Sequence, residues 1–185
     1  MMNNAVSSKE ELISYCKEIV KEQGIQAVNI RSLAKKSGIS VGAVYNYFPS
    51  KSHLLSATIG SIWAEIFHLS ETSFDFSNFL DCLAALLRSI EKGKELYPNF
   101  FTAHALVMPA EDQAMGSELM ETYWNHIKQG MLKALQKDSQ VRESVFNQQL
   151  SMEEYVDYIF ELFLYTIISE KKHENLLQLV RNSIY

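Results

Sequence analysis

The stretch that most limits how this chain can fold is residues 29–55, NIRSLAKKSGISVGAVYNYFPSKSHLL, where three helix signals follow one another almost without spacers. Asn29 is a good N-cap, and Ile30, Leu33 and Ala34 then recur at helical spacing. Gly38 follows the last periodic residue, where a left-handed closing position costs glycine nothing. Ser40 is a second N-cap only two residues later, so the next helix must turn sharply away from the first. Val44 and Phe48 make its inward stripe, leaving Val41, Gly42, Ala43, Tyr45, Asn46 and Tyr47 on or near the outer face. Pro49 and Ser50 stop this helix and cap a third, which Lys51 opens. Two helices across a short glycine-containing turn, the second starting with small residues, form a helix-turn-helix. Its tight N-terminus is the end that enters a major groove.

The outward residues carry a chemistry suited to DNA. Val41, Gly42 and Ala43 present little side chain, so the helix N-terminus can approach base edges and its amides a phosphate. Val41 or Ala43 can touch a thymine methyl. Asn46 is the candidate for a hydrogen-bonded base contact, since its amide both donates and accepts. Tyr45, Tyr47 and Lys51 form a phosphate set that fixes register without reading sequence. Arg31, near the start of the preceding helix, can reach a base or a phosphate, and Asn29 and Ser40, which hold the two helix starts, complete the DNA-binding candidates. Each residue alone could be an ordinary surface residue, or for the tyrosines helix packing. Their agreement is what favours contact.

The run Ile30…Leu33-Ala34…Gly38-Ile39-Ser40…Gly42…Tyr45-Asn46-Tyr47-Phe48…Lys51…Leu54-Leu55 resembles the N-terminal domain of TetR-family transcriptional repressors. The motif covers about a quarter of the chain and has no gaps. Asn29 stands where that family often has threonine, and caps equally well. Tyr47 stands where many members have histidine, and its hydroxyl can still donate to a phosphate oxygen. The resemblance implies a homodimer built on the last two long helices, a palindromic operator in double-stranded DNA, and release by a small-molecule inducer held in the body.

Charge agrees once the chain is split. The formal net charge is −5, but residues 1–56 hold seven Lys/Arg against four Asp/Glu, and the acidic excess lies in the remainder. A basic end on an acidic body is expected where one small domain meets phosphate. Hydrophobic content of 47% excludes a disordered chain. Cys16 and Cys82 form no CxxC and read as two buried thiols, and the five histidines show no ligand spacing, so neither a metal nor a cofactor is expected. The first residues, MMNNAVSS, are polar, which leads us to expect a cytoplasmic protein without a membrane partner.

Scarce glycine, three prolines and no sustained alternation of period two argue for an all-α fold. A first helix is expected over 8–23, with Leu12, Ile13, Cys16, Ile19 and Val20 as its apolar stripe. It completes a three-helix head, residues 1–50, followed by a helical ligand-binding and dimerisation domain, residues 51–185. A long helix is expected from Ser50, a second marked by Phe79 to Ile90 and interrupted at Gly93, and a third opening at residues 109–112. A loop is expected over 137–149. Residues 151–169 are apolar on almost every side, so one face can meet the body while another needs a partner. With a last helix near 173–184, this makes Tyr155, Ile159, Phe163, Ile167, Leu176, Leu177 and Val180 the candidate dimer residues. Ligand candidates are the body's aromatic, histidine and methionine residues Trp63, Phe67, Phe79, Phe101, His104, Met108, Met120, Tyr123 and Trp124. An aromatic stripe at helical spacing serves equally as plain core.

Two catalytic patterns also occur. Gly38-Ile39-Ser40-Val41-Gly42 matches the serine-hydrolase elbow, but that elbow needs a preceding strand, and SLAKKS reads as helix. Ser32-Leu33-Ala34-Lys35 matches S-x-x-K without its companion motifs. The expected reading is therefore a non-enzymatic regulator. The competitors are a helical adaptor that binds a protein partner and, remotely, an α-helical hydrolase using Ser40.

Overall fold

The computed structural model describes residues 8–67, 76–98, 100–101, 113–169 and 171–185, with the side chains of 113–120 excepted. Among the described residues there are eight α-helices and no strand beyond one isolated bridge between Asn147 and Leu150. The helices are α1 (Lys9–Gln23), α2 (Ile30–Ser37), α3 (Val41–Tyr47), α4 (Lys51–Ile66), α5 (Phe79–Leu96), α6 (Gln113–Lys137), α7 (Met152–Ile168) and α8 (His173–Ile184). The all-α expectation holds.

The chain divides into two compact units, one of Met1–Glu65 with Gly93–Met120, the other of Ile66–Lys92 with Glu121–Tyr185. In the first, Leu12, Cys16, Val20, Val28, Leu33, Val44 and Phe48 are completely buried, so α1, α2 and α3 each turn their apolar stripe inward. α4 differs. Ser52, Leu54, Ser56, Thr58, Ile59, Gly60, Ile62 and Trp63 are all buried, which places nearly every side of the helix under other chain. Thr58 satisfies its hydroxyl by donating to the Leu54 carbonyl at 2.8 Å.

In the second unit the core is aromatic. Phe79 lies 5.8 Å from Tyr155, Trp124 5.5 Å from Phe160, and Phe67 6.4 Å from Phe163, ring centre to ring centre. Ser151 and Glu154 form a reciprocal capping box that starts α7. Residues 138–150 make a turn-rich connection, as expected, held by bonds from the Arg142 amide and guanidinium to the Ile184 and Ser183 carbonyls. One boundary differs from expectation: α5 runs through Gly93 to Leu96. Gly93 is buried, and a helix covered by other chain tolerates a glycine that would weaken it in water.

Candidate nucleic-acid interface

The helix-turn-helix is assembled by local bonds. Asn29 Oδ1 accepts from the Arg31 and Ser32 amides, each at 3.0 Å, while Ser32 Oγ accepts from the Asn29 amide at 2.9 Å. This capping box starts α2. Gly38 closes it with φ +74 and ψ 16. A Cβ there would meet nothing within 4 Å, so glycine is needed for the backbone turn alone. Ser40 Oγ then accepts from the Ala43 amide at 3.1 Å and starts α3.

The two serine motifs are thereby accounted for. Ser40 is a helix cap preceded by α2 rather than by a strand, and Ser32 Oγ is occupied with the Asn29 amide and the Ala27 carbonyl. Neither arrangement is a nucleophile's.

α3 buries Val44, and Phe48 behind it, completely. Its other side faces water. Val41 is 42% exposed and Tyr45 49%; Gly42 and Asn46 are exposed as well, while Ala43 and Tyr47 are half-buried. Arg31, Ser40 and Lys51 are exposed, and Asn29 is half-buried in its cap. The expected contact residues of α3 thus share one solvent-facing side, and Lys51 opens α4 just beyond Phe48, Pro49 and Ser50. Ser50 Oγ caps α4 by accepting from the His53 amide at 3.3 Å.

The cations of this end sort into two groups. Lys36 is committed to Glu22 at 2.8 Å and Glu18 at 3.3 Å, and Lys17 to Glu65 at 2.6 Å. These pairs hold the Lys36 ammonium above, and the Glu22 carboxyl below, its ordinary range. Lys21 lies 5.0 Å above the Tyr97 ring and Lys9 5.5 Å from the Phe48 ring centre. Arg31, Lys35 and Lys51 are exposed and make no ion pair among the described residues. Sequence reasoning missed Lys35. The signal was available, since Lys35 follows Arg31 by four residues and so shares its side of α2.

The ligand candidates do not gather into one group. Trp63 and Phe101 meet in the first unit at 5.6 Å. Phe67 and Phe79 are buried in the second unit, where Tyr123 and Trp124 are half-buried. Burial pushes the Tyr123 hydroxyl above its ordinary value. His104 and Met108, and the side chain of Met120, lie outside the described residues. Of the dimer candidates, Tyr155, Ile159, Phe163, Ile167, Leu176 and Val180 are buried within the chain itself, and Leu177 is half-buried. The apolar residues that α7 and α8 leave in water are others: Tyr158, Leu162, Tyr165, Ile168 and Leu179. Among the described residues no group of three or more His, Cys, Asp or Glu could hold a metal ion, and no helix is long and apolar enough to cross a membrane.

Residues 17–58 match the family described as bacterial regulatory proteins, tetR family. The HTH-type transcriptional repressor KstR of Mycolicibacterium smegmatis is 36% identical over 72 residues, covering 32% of this chain and 35% of that one. The chain thus spans about a third of the length of this curated relative. The fold also matches the transcriptional regulator SCO7222, a TetR from Streptomyces coelicolor, with a TM-score of 0.59, 16% identity, and coverage of 87% of this chain and 70% of that one. The multidrug binding protein EbrR, solved in complex with imidazole, matches with a TM-score of 0.57, 12% identity, and coverage of 100% and 97%. The head of this chain, residues 17–58, is thus similar in sequence to the tetR family of bacterial regulatory proteins, and its helices share the fold of solved TetR regulators.

Proposed function

We propose that this protein is a DNA-binding transcriptional repressor that sits on a palindromic operator as a homodimer and leaves it when a small molecule binds the body. The observation that carries the reading is the side of α3 left in water: Val41, Gly42, Tyr45 and Asn46 together, flanked by Arg31, Lys35 and Lys51, exposed cations with no ion pair among the described residues. Small residues at the N-terminus of α3 let the backbone approach base edges, and Asn46 can bond adenine in a bidentate way. Tyr45, Tyr47, Arg31, Lys35 and Lys51 supply the phosphate contacts that set register. Residues 1–50 are then the reading head, and residues 51–185 the sensing and pairing body.

A homodimer is supported by the apolar stripe on α7. Tyr158, Leu162, Tyr165 and Ile168 recur at helical spacing and are 39–65% exposed, with Leu179 of α8 half exposed. A stripe of this kind needs a cover, and a second copy supplies one by two-fold symmetry. Small-molecule release is supported by the aromatic content of the body and by the shared fold of EbrR, a multidrug binding protein. Linkage makes the two ligands antagonists: an inducer that favours the non-binding arrangement weakens DNA by the factor that DNA weakens it. No step of this scheme calls for catalysis.

The test is titration with DNA from upstream of the protein's own coding region across a salt series. Lys51→Ala and Lys35→Ala should each weaken binding to all sequences and flatten the salt slope by about one. Lys36→Ala should leave the slope alone, because that ammonium is already committed to Glu18 and Glu22. Asn46→Ala should cost about 1–3 kcal/mol at one operator position and little at the others. A genome-wide selection that returns no enriched fragment would overturn the reading in favour of a protein-binding adaptor.

A further inference from the structure

Lys9 stands where the helix dipole disfavours a lysine. It opens α1, just ahead of Glu10 and Glu11, and a cation is repelled at that end. Helical side chains lean toward the N-terminus, so its long stem overhangs the start of α1. There its ammonium lies 5.5 Å from the ring centre of Phe48, and it makes no ion pair among the described residues. Phe48 marks the end of α3. Its amide still donates to the Val44 carbonyl at 3.0 Å, but its backbone is extended, φ −131 and ψ 98, and turns the chain toward α4. The ring goes fully inward, while Tyr47 before it is half-buried and Lys51, at the start of α4, is exposed. Lys9 is exposed as well, and so brings a second ammonium to this junction from a different helix. A ring, unlike a carboxylate, leaves that charge whole.

We propose that Lys9 is a further DNA-phosphate contact, a cation that α1 brings to the α3–α4 junction and that the Phe48 ring holds in position. The inference rests on the DNA-binding reading above and extends that interface to a helix outside the helix-turn-helix. A phosphate oxygen approaching Tyr47 and Lys51 meets the Lys9 ammonium at the same end of the head, with the ring behind it. A freely moving lysine loses most of its rotamer freedom on binding. One already resting on a ring loses less, so the contact forms at a lower entropic cost. Lys21 is the internal comparison. Its ammonium lies 5.0 Å from the Tyr97 ring centre, and it too is exposed, but it stands near the other end of α1. At about 1.5 Å per residue the two lysines are roughly 18 Å apart along the helix, more than double the Debye length of about 8 Å at physiological salt. What Lys9 supplies by contact, Lys21 does not.

The experiment uses the full chain and measures binding to random duplex DNA and to a fragment from the genome-wide selection across a salt series, with urea unfolding of each variant alongside. Lys9→Met keeps an apolar stem over Phe48 and removes the charge. It should weaken both DNAs by the same factor, roughly fivefold per head at physiological salt, and flatten the salt slope by about one per head. Lys9→Arg should keep the slope, and Lys21→Met should keep both slope and affinity. A role in the fold alone would lower urea stability and leave the slope where it was. An unchanged slope in Lys9→Met therefore overturns the inference. An equal flattening in Lys21→Met overturns it too, since the effect would then be one of net charge. Both results leave the reading of α3 standing, because Lys51→Ala still flattens the slope. If the wild type binds neither DNA, and Lys51→Ala accordingly changes nothing, the DNA-binding reading falls and the inference with it.

Discussion

Gly42 has room for a side chain, and the protein gives no reason for its absence. A Cβ there would meet only Ser40 Oγ, at 3.9 Å. Nothing within the chain calls for a small residue there, and α3 faces water at that point, on the side proposed to meet DNA. Gly42→Ala should therefore stabilise the fold by about 0.5–1 kcal/mol, the helix-propensity difference, while weakening operator binding. Urea unfolding and DNA titration of the same sample would show the two effects with opposite signs; a variant that binds normally would remove Gly42 from the interface. Gly38 is the contrasting case. Its φ of +74 makes Gly38→Ala costly by about 1 kcal/mol although the space is open, and the loss should appear in urea unfolding.

At the scale of elements, two helices carry apolar residues on nearly every side and meet different fates. α4 is covered almost all round, and even the Ser56 hydroxyl is enclosed, with no hydrogen-bond partner among the described residues. Ser56→Ala should raise stability by about 0.5–1 kcal/mol, measured by urea unfolding, since it removes a buried unsatisfied group and improves helix propensity. α7 keeps one side in water. Leu162→Glu there, at a residue 39% exposed, should leave each chain folded and convert the proposed dimer to monomer. Sedimentation at micromolar concentration reads the change, and an unshifted dimer would move the interface elsewhere.

At the scale of the molecule, each unit has a polar tie made by residues far apart in the chain. In the second unit Asp138 Oδ2 accepts from the Phe79 amide at 2.9 Å, starting α5, and from the Tyr185 hydroxyl, which itself accepts from the Leu80 amide at 3.3 Å. Burial first, and then the bond to Asp138, push the Tyr185 hydroxyl well above its ordinary value. Asp138→Ala strands buried donors and should cost about 1.5–3 kcal/mol by urea unfolding, whereas Tyr185→Phe should cost less. In the first unit the Glu65 carboxyl sets a pH dependence: burial would raise it, but the bonds from Lys17 and Tyr97 hold it below the ordinary glutamate range. A carboxyl depressed in the folded state stabilises it above its unfolded pKa, and that stabilisation is lost as pH falls through the folded value. The melting temperatures of wild type and Glu65→Gln should thus differ at neutral pH and converge below about pH 4.

The sequence by itself determined the helix-turn-helix, because everything that makes it is local. The Asn29 and Ser40 caps act on amides two or three residues away, and Gly38 closes α2 by its own torsion angle. Helical periodicity then sends Val44 and Phe48 inward, which leaves Tyr45 and Asn46 outside. The same periodicity is silent where a helix is apolar all round. On α7 it could not separate the inward Tyr155, Ile159, Phe163 and Ile167 from the exposed Tyr158, Leu162, Tyr165 and Ile168. Composition likewise counted seven cations in residues 1–56 without dividing those paired inside from those facing water. Only tertiary structure decided these points. The partners that settle them, Glu65 for Lys17 and Asp138 for the Phe79 amide, stand 48 and 59 residues away, beyond the reach of any local pattern.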